Sequence, residues 1–380
     1  MKAMDRRGFL AVAGAACMAG RVQAQGADAG VSRTEILLGQ SAVLSGQLGD
    51  AALAAQAGAR LVFDDANAGG GVAGRALRLV SLDDELNPDK ALANYRSLVL
   101  EQRVLACVCG TGAAPTMAGT GVLRENGVPL IGASAVTDSV RDKTRGVAYY
   151  VRASSMRELE ALVQHLVTLG MSRIAFIHLA TPGGEEIKGQ MQQVLSAQQL
   201  QLHAAAGVGP DGAGAQDAAK LLATSQPQAV VLFMSGAAAA AVMKATWQLG
   251  AAPTFYGMSI VSGETTARLL GAQSRGLAVA QVTPYPWDGA DPDALQFRRL
   301  AQAAKVPVNY HSYEGYLAGR VTVEALQRAG RDLSRERLHA VLRSMRMRVA
   351  GMDIDFTGNR HTGSRFVELV QVKQDGRYVR

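Results

Sequence analysis

From residue 35 onward, short β-branched runs alternate with amphipathic stretches of helical length, and the alternation persists for most of the chain. That order specifies an α/β fold built on parallel sheets. The spacing predicts strands over 35–40, 77–83, 104–109 and 128–132, with helices over 50–68, 89–101 and 115–126 between them. The theme then repeats, with strands over 173–178, 229–234 and 254–259 and helices over 155–169, 185–198, 215–224 and 237–249. Gly69-Gly70-Gly71 marks a turn between helix and strand. No short solenoid-type repeat and no long low-complexity linker breaks the pattern.

The first 24 residues stand apart from it. Arg6 and Arg7 lead into an apolar stretch over 9–19 and then into Val22-Gln23-Ala24, the order of a cleavable export signal. The stretch is far shorter than the roughly 20 residues needed to span a bilayer as a helix, and small residues place the cut after Ala24. Asp5-Arg6-Arg7-Gly8-Phe9-Leu10 is similar to a twin-arginine export signal, although an acidic residue precedes the arginine pair where Ser or Thr is usual. Acylation at Cys17 is disfavoured, because Gly14-Ala15-Ala16 lacks the larger aliphatic residue such signals carry three positions upstream. The expected compartment is the periplasm. Cleavage removes Lys2, Arg6, Arg7 and Arg21 against Asp5, so the formal charge falls from +7 to +4. The remaining cations form no Lys/Arg-rich block with interleaved aromatics, which argues against nucleic acid as a partner.

About 355 residues remain, more than one core usually organises, so two domains are expected. Cys107 and Cys109, two positions apart on a strand, share a face and cannot form an unstrained bridge. They read as small buried hydrophobes. The histidines at 165, 178, 203, 311, 339 and 361 show no metal spacing. Gly110-Thr111-Gly112 follows a strand, but Pro115 replaces the third glycine of a dinucleotide fingerprint and no Gly-Lys-Ser/Thr ending follows. Gly257-Met258-Ser259-Ile260-Val261 lacks the closing glycine of a nucleophile elbow. With no nucleophile–base pair and no cofactor motif, the chain reads as a binder without metal or cofactor, not as an enzyme.

In an open α/β sheet, ligands bind beyond the carboxyl ends of the strands. The loops there are small and hydroxylic: 41–46 with Ser45, 110–116 with Thr111, Gly112 and Ala113, and 132–137 with Ser134, Ala135 and Val136. Backbone N–H groups, hydroxyls and helix N-termini converging on one cleft favour an anionic group such as a carboxylate. Ser259 ends a strand in the second half. Asp83-Asp84-Glu85 reads as a solvated loop or helix cap, Trp287 as core or hinge packing, and Tyr313 as either ligand wall or core.

These features together resemble the Leu/Ile/Val-binding branch of type I periplasmic binding proteins, the substrate-binding subunits of ABC transporters. The resemblance covers almost the whole chain beyond the leader and rests on Gly39-Gln40-Ser41-Ala42-Val43-Leu44-Ser45-Gly46, Asp65-Ala66-Asn67-Ala68-Gly69-Gly70-Gly71-Val72-Ala73-Gly74, Leu82-Asp83-Asp84 and Gly127-Val128-Pro129-Leu130-Ile131-Gly132. It implies two doubly wound parallel-sheet lobes joined by three crossovers, near Arg152, near 282–284 and near 352–356. Lobe one would combine 32–152 with 284–351, and lobe two 153–283 with 352–380. It also implies a small-molecule ligand whose carboxylate is held by Thr111-Gly112-Ala113 and Ser134-Ala135-Val136, membrane permease subunits as partners, and a monomer. Where amino-acid binders carry a Tyr-Gly pair in the first lobe-two loop, this chain reads Gly183-Gly184; where they carry the glutamate that pairs with an α-ammonium, it reads Ser259. An ammonium buried without a carboxylate costs several kcal/mol, so the expected guest bears a carboxylate without a compensating ammonium, Glu264 being the one substitute in reach. A sensing subunit that signals through a protein partner is the alternative function.

Overall fold

The computed structural model describes residues 29–46, 49–373 and 378–380. The leader, the twin arginines and the cut after Ala24 lie outside the described residues. Strands β1 (Glu35–Ala42), β2 (Ala76–Asp83), β3 (Ala106–Val108), β4 (Leu130–Ile131) and β5 (Ala148–Tyr149) form one parallel sheet in the order β2-β1-β3-β4-β5. Helices α1 (Gly49–Ala68), α2 (Pro88–Arg96), α3 (Ala113–Glu125) and α4 (Asp138–Lys143) link them. The chain then enters a second lobe through α5 (Ser155–Thr168). There β6 (Ile174–Leu179), β7 (Ala204–Val208), β8 (Ala229–Phe233), β9 (Thr254–Gly257) and β10 (Ala278–Gln281) alternate with α6 (Pro182–Ala197), α7 (Ala215–Ser225), α8 (Gly236–Gln248) and α9 (Gly263–Leu270). Their order, β7-β6-β8-β9-β10, is that of the first sheet. β6 and the first four residues of β8 are buried on both faces, which is why they read as continuous apolar runs instead of alternating ones.

The chain returns to lobe one with α10 (Pro292–Ala304), α11 (Tyr310–Ala329) and α12 (Arg335–Ser344), then forms the hairpin β11 (Arg346–Val349) and β12 (Met352–Asp355). The expected passage to lobe two near 352 is displaced. Met352, Ile354 and Phe356 are buried in the lobe-one core, β12 pairs with β11, and Tyr150 exchanges backbone hydrogen bonds with His361 and Gly363. Only after that does the chain reach β13 (Glu368–Val372) and β14 (Tyr378–Val379). Both add antiparallel at the β10 edge, so the second sheet is mixed where a parallel one was expected.

Two smaller differences lie at helix ends, and capping explains the first. α6 begins three residues before the expected start, because Pro182 sits at its first position and the Thr181 hydroxyl accepts from the Gly184 N–H. The helix expected to run to 101 is α2 followed by a single π turn over Ser97–Glu101.

α1 and α11 meet backbone to backbone. A Cβ at Gly58 would lie 1.8 Å from the Ser312 carbonyl oxygen, and one at Gly315 1.8 Å from that of Ala55. Only glycine at both positions permits this approach. The contact fixes the first turn of α11, which carries His311 and Glu314 into the space between the lobes.

Candidate functional site

In each sheet the strand order reverses direction between the first strand and the third, and the loops leaving those two strands diverge to open a crevice. In lobe one the crevice lies between the loop after β1 and the loop after β3. Beside the latter, Thr111 and Ser134 form an isolated parallel bridge; the Gly112 N–H donates to the Ser134 carbonyl (3.0 Å) and the Ser134 N–H to that of Gly110 (2.9 Å). Those bonds use the N–H groups of Gly112 and Ser134 and leave the Thr111 and Ser134 hydroxyls, both partly exposed, side by side. α3 starts at Ala113 with Gly112 as its N-cap and no side-chain cap. Pro115 has no N–H and the Thr116 N–H bonds the Gly112 carbonyl, so the N–H groups of Ala113 and Ala114 point outward with the positive end of the helix dipole. Gly112 has φ +92°, and a Cβ there would lie 2.6 Å from Leu86 Cδ1.

The other sequence candidates scatter around this core. Ala135, partly exposed, adopts φ +52°, and Val136 is buried beneath the loop. Ser45 is exposed and its hydroxyl helps hold Asp83, which also accepts the N–H groups of Leu44 and Glu85. Burial works against that carboxylate's charge, yet these bonds hold it below the usual range. Asp84 is not the solvated residue expected: it is fully buried, accepts from the Ser41 hydroxyl (2.8 Å), and burial raises its pKa. Tyr313 is not brought to the site. Its ring is fully buried in lobe one, 4.8 Å from that of Phe297 and stacked on Tyr316. Trp287 packs among Tyr285, Tyr310 and Tyr378 at the second crossover. Burial pushes the thiols of Cys107 and Cys109 up to about 12, in keeping with inert core residues.

What sequence reasoning missed is a charged network where the lobes join. Arg152, on the first crossover, donates to Glu314 of α11 (3.2 Å) and to Glu158 of α5 (2.9 Å), and meets the Ser259 hydroxyl. Ser259 donates its N–H (2.8 Å) and its hydroxyl (2.9 Å) to Glu158. The side chains of Arg152, Glu158 and Glu314 are only 11 %, 4 % and 15 % exposed. Burial disfavours the guanidinium charge, but the two carboxylates outweigh it and raise the Arg152 pKa. Ser259 is thus already engaged, and the neutral residue does not leave its neighbourhood neutral: Glu158 delivers a carboxylate to that point from the adjacent helix. Arg152, Glu158 and Glu314 together carry one excess negative charge. Glu264 of α9 accepts from the Tyr378 hydroxyl at its Oε2 (3.1 Å), and its Oε1 is buried without a partner among the described residues. His311 lies within electrostatic reach of Glu314, Glu264 and Arg152, and burial lowers its pKa. No pattern distinguishes such a network in sequence, because an arginine followed by a helix with Glu in its first turn is ordinary surface and capping chemistry.

Among the described residues, no helix is long and apolar enough to cross a membrane, and no cluster of three or more His, Cys, Asp or Glu is placed to hold a metal. A family model for periplasmic binding proteins matches residues 35–377. A substrate-binding periplasmic protein from Ralstonia solanacearum is 29% identical, with a TM-score of 0.85 over 91% of this chain and 99% of that one. An extracellular ligand-binding receptor from Verminephrobacter eiseniae ef01-2 is 25% identical, with a TM-score of 0.84 over 91% and 100%. A branched-chain amino acid ABC transporter protein from Thermus thermophilus, solved with bound valine, shares the fold at 18% identity, with a TM-score of 0.83 over 92% and 96%. A search of curated proteins finds no match. With the family match spanning both lobes and the fold shared with these relatives over nine-tenths of the chain, the chain belongs to the periplasmic binding protein family.

Proposed function

We propose that this protein is the periplasmic solute-binding subunit of an ABC importer, which traps a small carboxylate-bearing or amino-acid-like ligand between its lobes and releases it unchanged to membrane permease subunits. The observation that carries this reading is the pairing of Thr111 and Ser134 beside the uncapped start of α3. Two hydroxyls and the two N–H groups of Ala113 and Ala114 suit a carboxylate. Ala113, Ser134 and Ala135 complete that wall, with Ser45 at its rim. The family is one of ligand binders, and the Thermus relative holds valine. Glu158, Glu264 and Glu314 against the one Arg152 favour an amino-acid-like guest over a bare carboxylate, because an ammonium entering this cleft meets more negative than positive charge. The expectation of a guest without an ammonium, drawn from Ser259, loses its main support.

A thermal-shift screen with amino acids, their deaminated and 2-keto counterparts, aromatic acids, dicarboxylates and amides tests the reading, since a ligand at 100 times its Kd adds about 2.7 kcal/mol. The hit should also compact the protein in solution scattering. Stabilisation by no carboxylate or amino acid, or compaction by none, overturns the reading. The sensing alternative draws on the Verminephrobacter relative, an extracellular ligand-binding receptor; capture of the ligand-loaded protein by its permease subunits in reconstituted membranes favours transport.

A further inference from the structure

A small cavity lies where the crossovers come together, under the floor of the cleft. Its polar wall is made by Arg152 of the first crossover, Thr283 of the second and Glu314 of α11; Leu317, Ala318 and Met352 close the apolar side. The space is that of about one water molecule. Thr283 is 3 % exposed, and its hydroxyl oxygen has no hydrogen-bond partner among the described protein atoms. A buried hydroxyl left unmatched is costly, and groups of this kind in native proteins are almost always satisfied by protein or ordered water.

We propose that this cavity is a binding site for a single ordered water, which accepts from the Thr283 hydroxyl and donates to the Glu314 carboxylate, so that it ties the second crossover to the network around Arg152. The geometry gives the water the partners it needs: one donor in Thr283, one acceptor in Glu314, and the guanidinium edge of Arg152 beside them. Leu317, Ala318 and Met352 on the far side offer a second water no hydrogen-bond partner. Arg152 already binds lobe one through Glu314 and lobe two through Glu158, and the water extends that grip to a second strand of the hinge. It restrains the pivot about which the lobes move.

A crystal structure of the unliganded protein that resolves ordered solvent tests the site. A density peak within hydrogen-bonding distance of Thr283 Oγ1 and of Glu314 is expected; no peak, or a Thr283 hydroxyl turned to a protein acceptor, overturns the site. Hydrogen exchange of peptides covering 150–154 and 279–283 tests the tether. Thr283→Val, which keeps the shape and removes the hydroxyl, should speed exchange there by about threefold or more, while Thr283→Ser stays close to wild type. Equal exchange in the valine variant and the wild type overturns the tether even where the water is seen. Neither measurement needs the transported ligand, so the outcome is independent of the proposed function.

Discussion

Gly58→Ala adds one methyl group where α1 meets α11, and the structure sets what it must do. The new Cβ would lie 1.8 Å from the Ser312 carbonyl oxygen and 2.8 Å from the Tyr316 nitrogen, both backbone atoms that no rotamer change can move aside. Ordinary contact begins near 3.4 Å, so the helices must part by about 1.6 Å, or 3.4 less 1.8. Overpacking of this kind costs typically 1–3 kcal/mol and sits at or above the upper end here, while alanine recovers about 1 kcal/mol of helix propensity. A net loss of about 2 kcal/mol is expected. Gly121→Ala is the matched control: it lies on an exposed turn of α3 with nothing within 4 Å of the added atom, so propensity acts alone and should stabilise by about 0.5–1 kcal/mol. Urea unfolding of the two variants beside wild type reads the difference. A Gly58→Ala protein as stable as wild type would falsify the claim that these helices touch backbone to backbone, and with it the account of how α11 is held.

Removing Glu158 leaves Arg152 paired with Glu314 alone and strips the buried Ser259 N–H of its acceptor, so Glu158→Ala should lower stability by about 2 kcal/mol in chemical denaturation, and Glu158→Gln, which can still accept from Ser259, by less. Thr111→Ala and Ser134→Ala should each weaken the screened ligand by about 1.5–3 kcal/mol in calorimetry if their hydroxyls reach its carboxylate; wild-type affinity in both removes them from the site. His339 is held neutral mainly by burial, aided by Arg343, with its pKa pushed down to about 4. The unfolded chain takes up that proton near 6.5 and the native state only near 4, so stability should fall as pH drops through this window, by up to about 3 kcal/mol. Unfolding midpoints across this range should flatten in His339→Gln, and an unchanged slope would assign the acid sensitivity elsewhere.

The alternation of strands and helices made the α/β character and the hydroxylic loops legible, because burial on both faces leaves continuous apolar runs such as those of β6 and β8. β7 was missed, since Ala204–Val208 is rich in alanine and half exposed at a sheet edge. The hairpin over 346–355 carries no sign of which lobe it packs against, because Met352, Ile354 and Phe356 would suit either core. Tyr313 shows the same limit: Tyr310, Tyr313 and Tyr316 repeat every three residues on α11, and only packing reveals that Tyr313 and Tyr316 face Phe297 while Tyr310 turns to Trp287 and Tyr378 of the other lobe. Arg152, Glu158 and Glu314 are brought together by tertiary structure across 162 residues of chain.

The chain crosses between lobes repeatedly before either is complete, and this bears on how it is made. A ribosome that has released residues up to about 280 has supplied every strand of the first sheet but not α11, which covers α1, and has supplied the second sheet without β13 and β14. Both partial lobes then expose apolar faces that later segments must cover. Folding is therefore completed late, after the last strand emerges, and the nascent chain spends much of its synthesis in a form that is prone to aggregate or to engage chaperones. A stop codon that removes only the residues after Phe366 would take away β13 and β14 and leave lobe two with an open strand edge, while the contacts of His361 and Gly363 with Tyr150 in lobe one stay in place, so the loss is felt first in the lobe that was begun second.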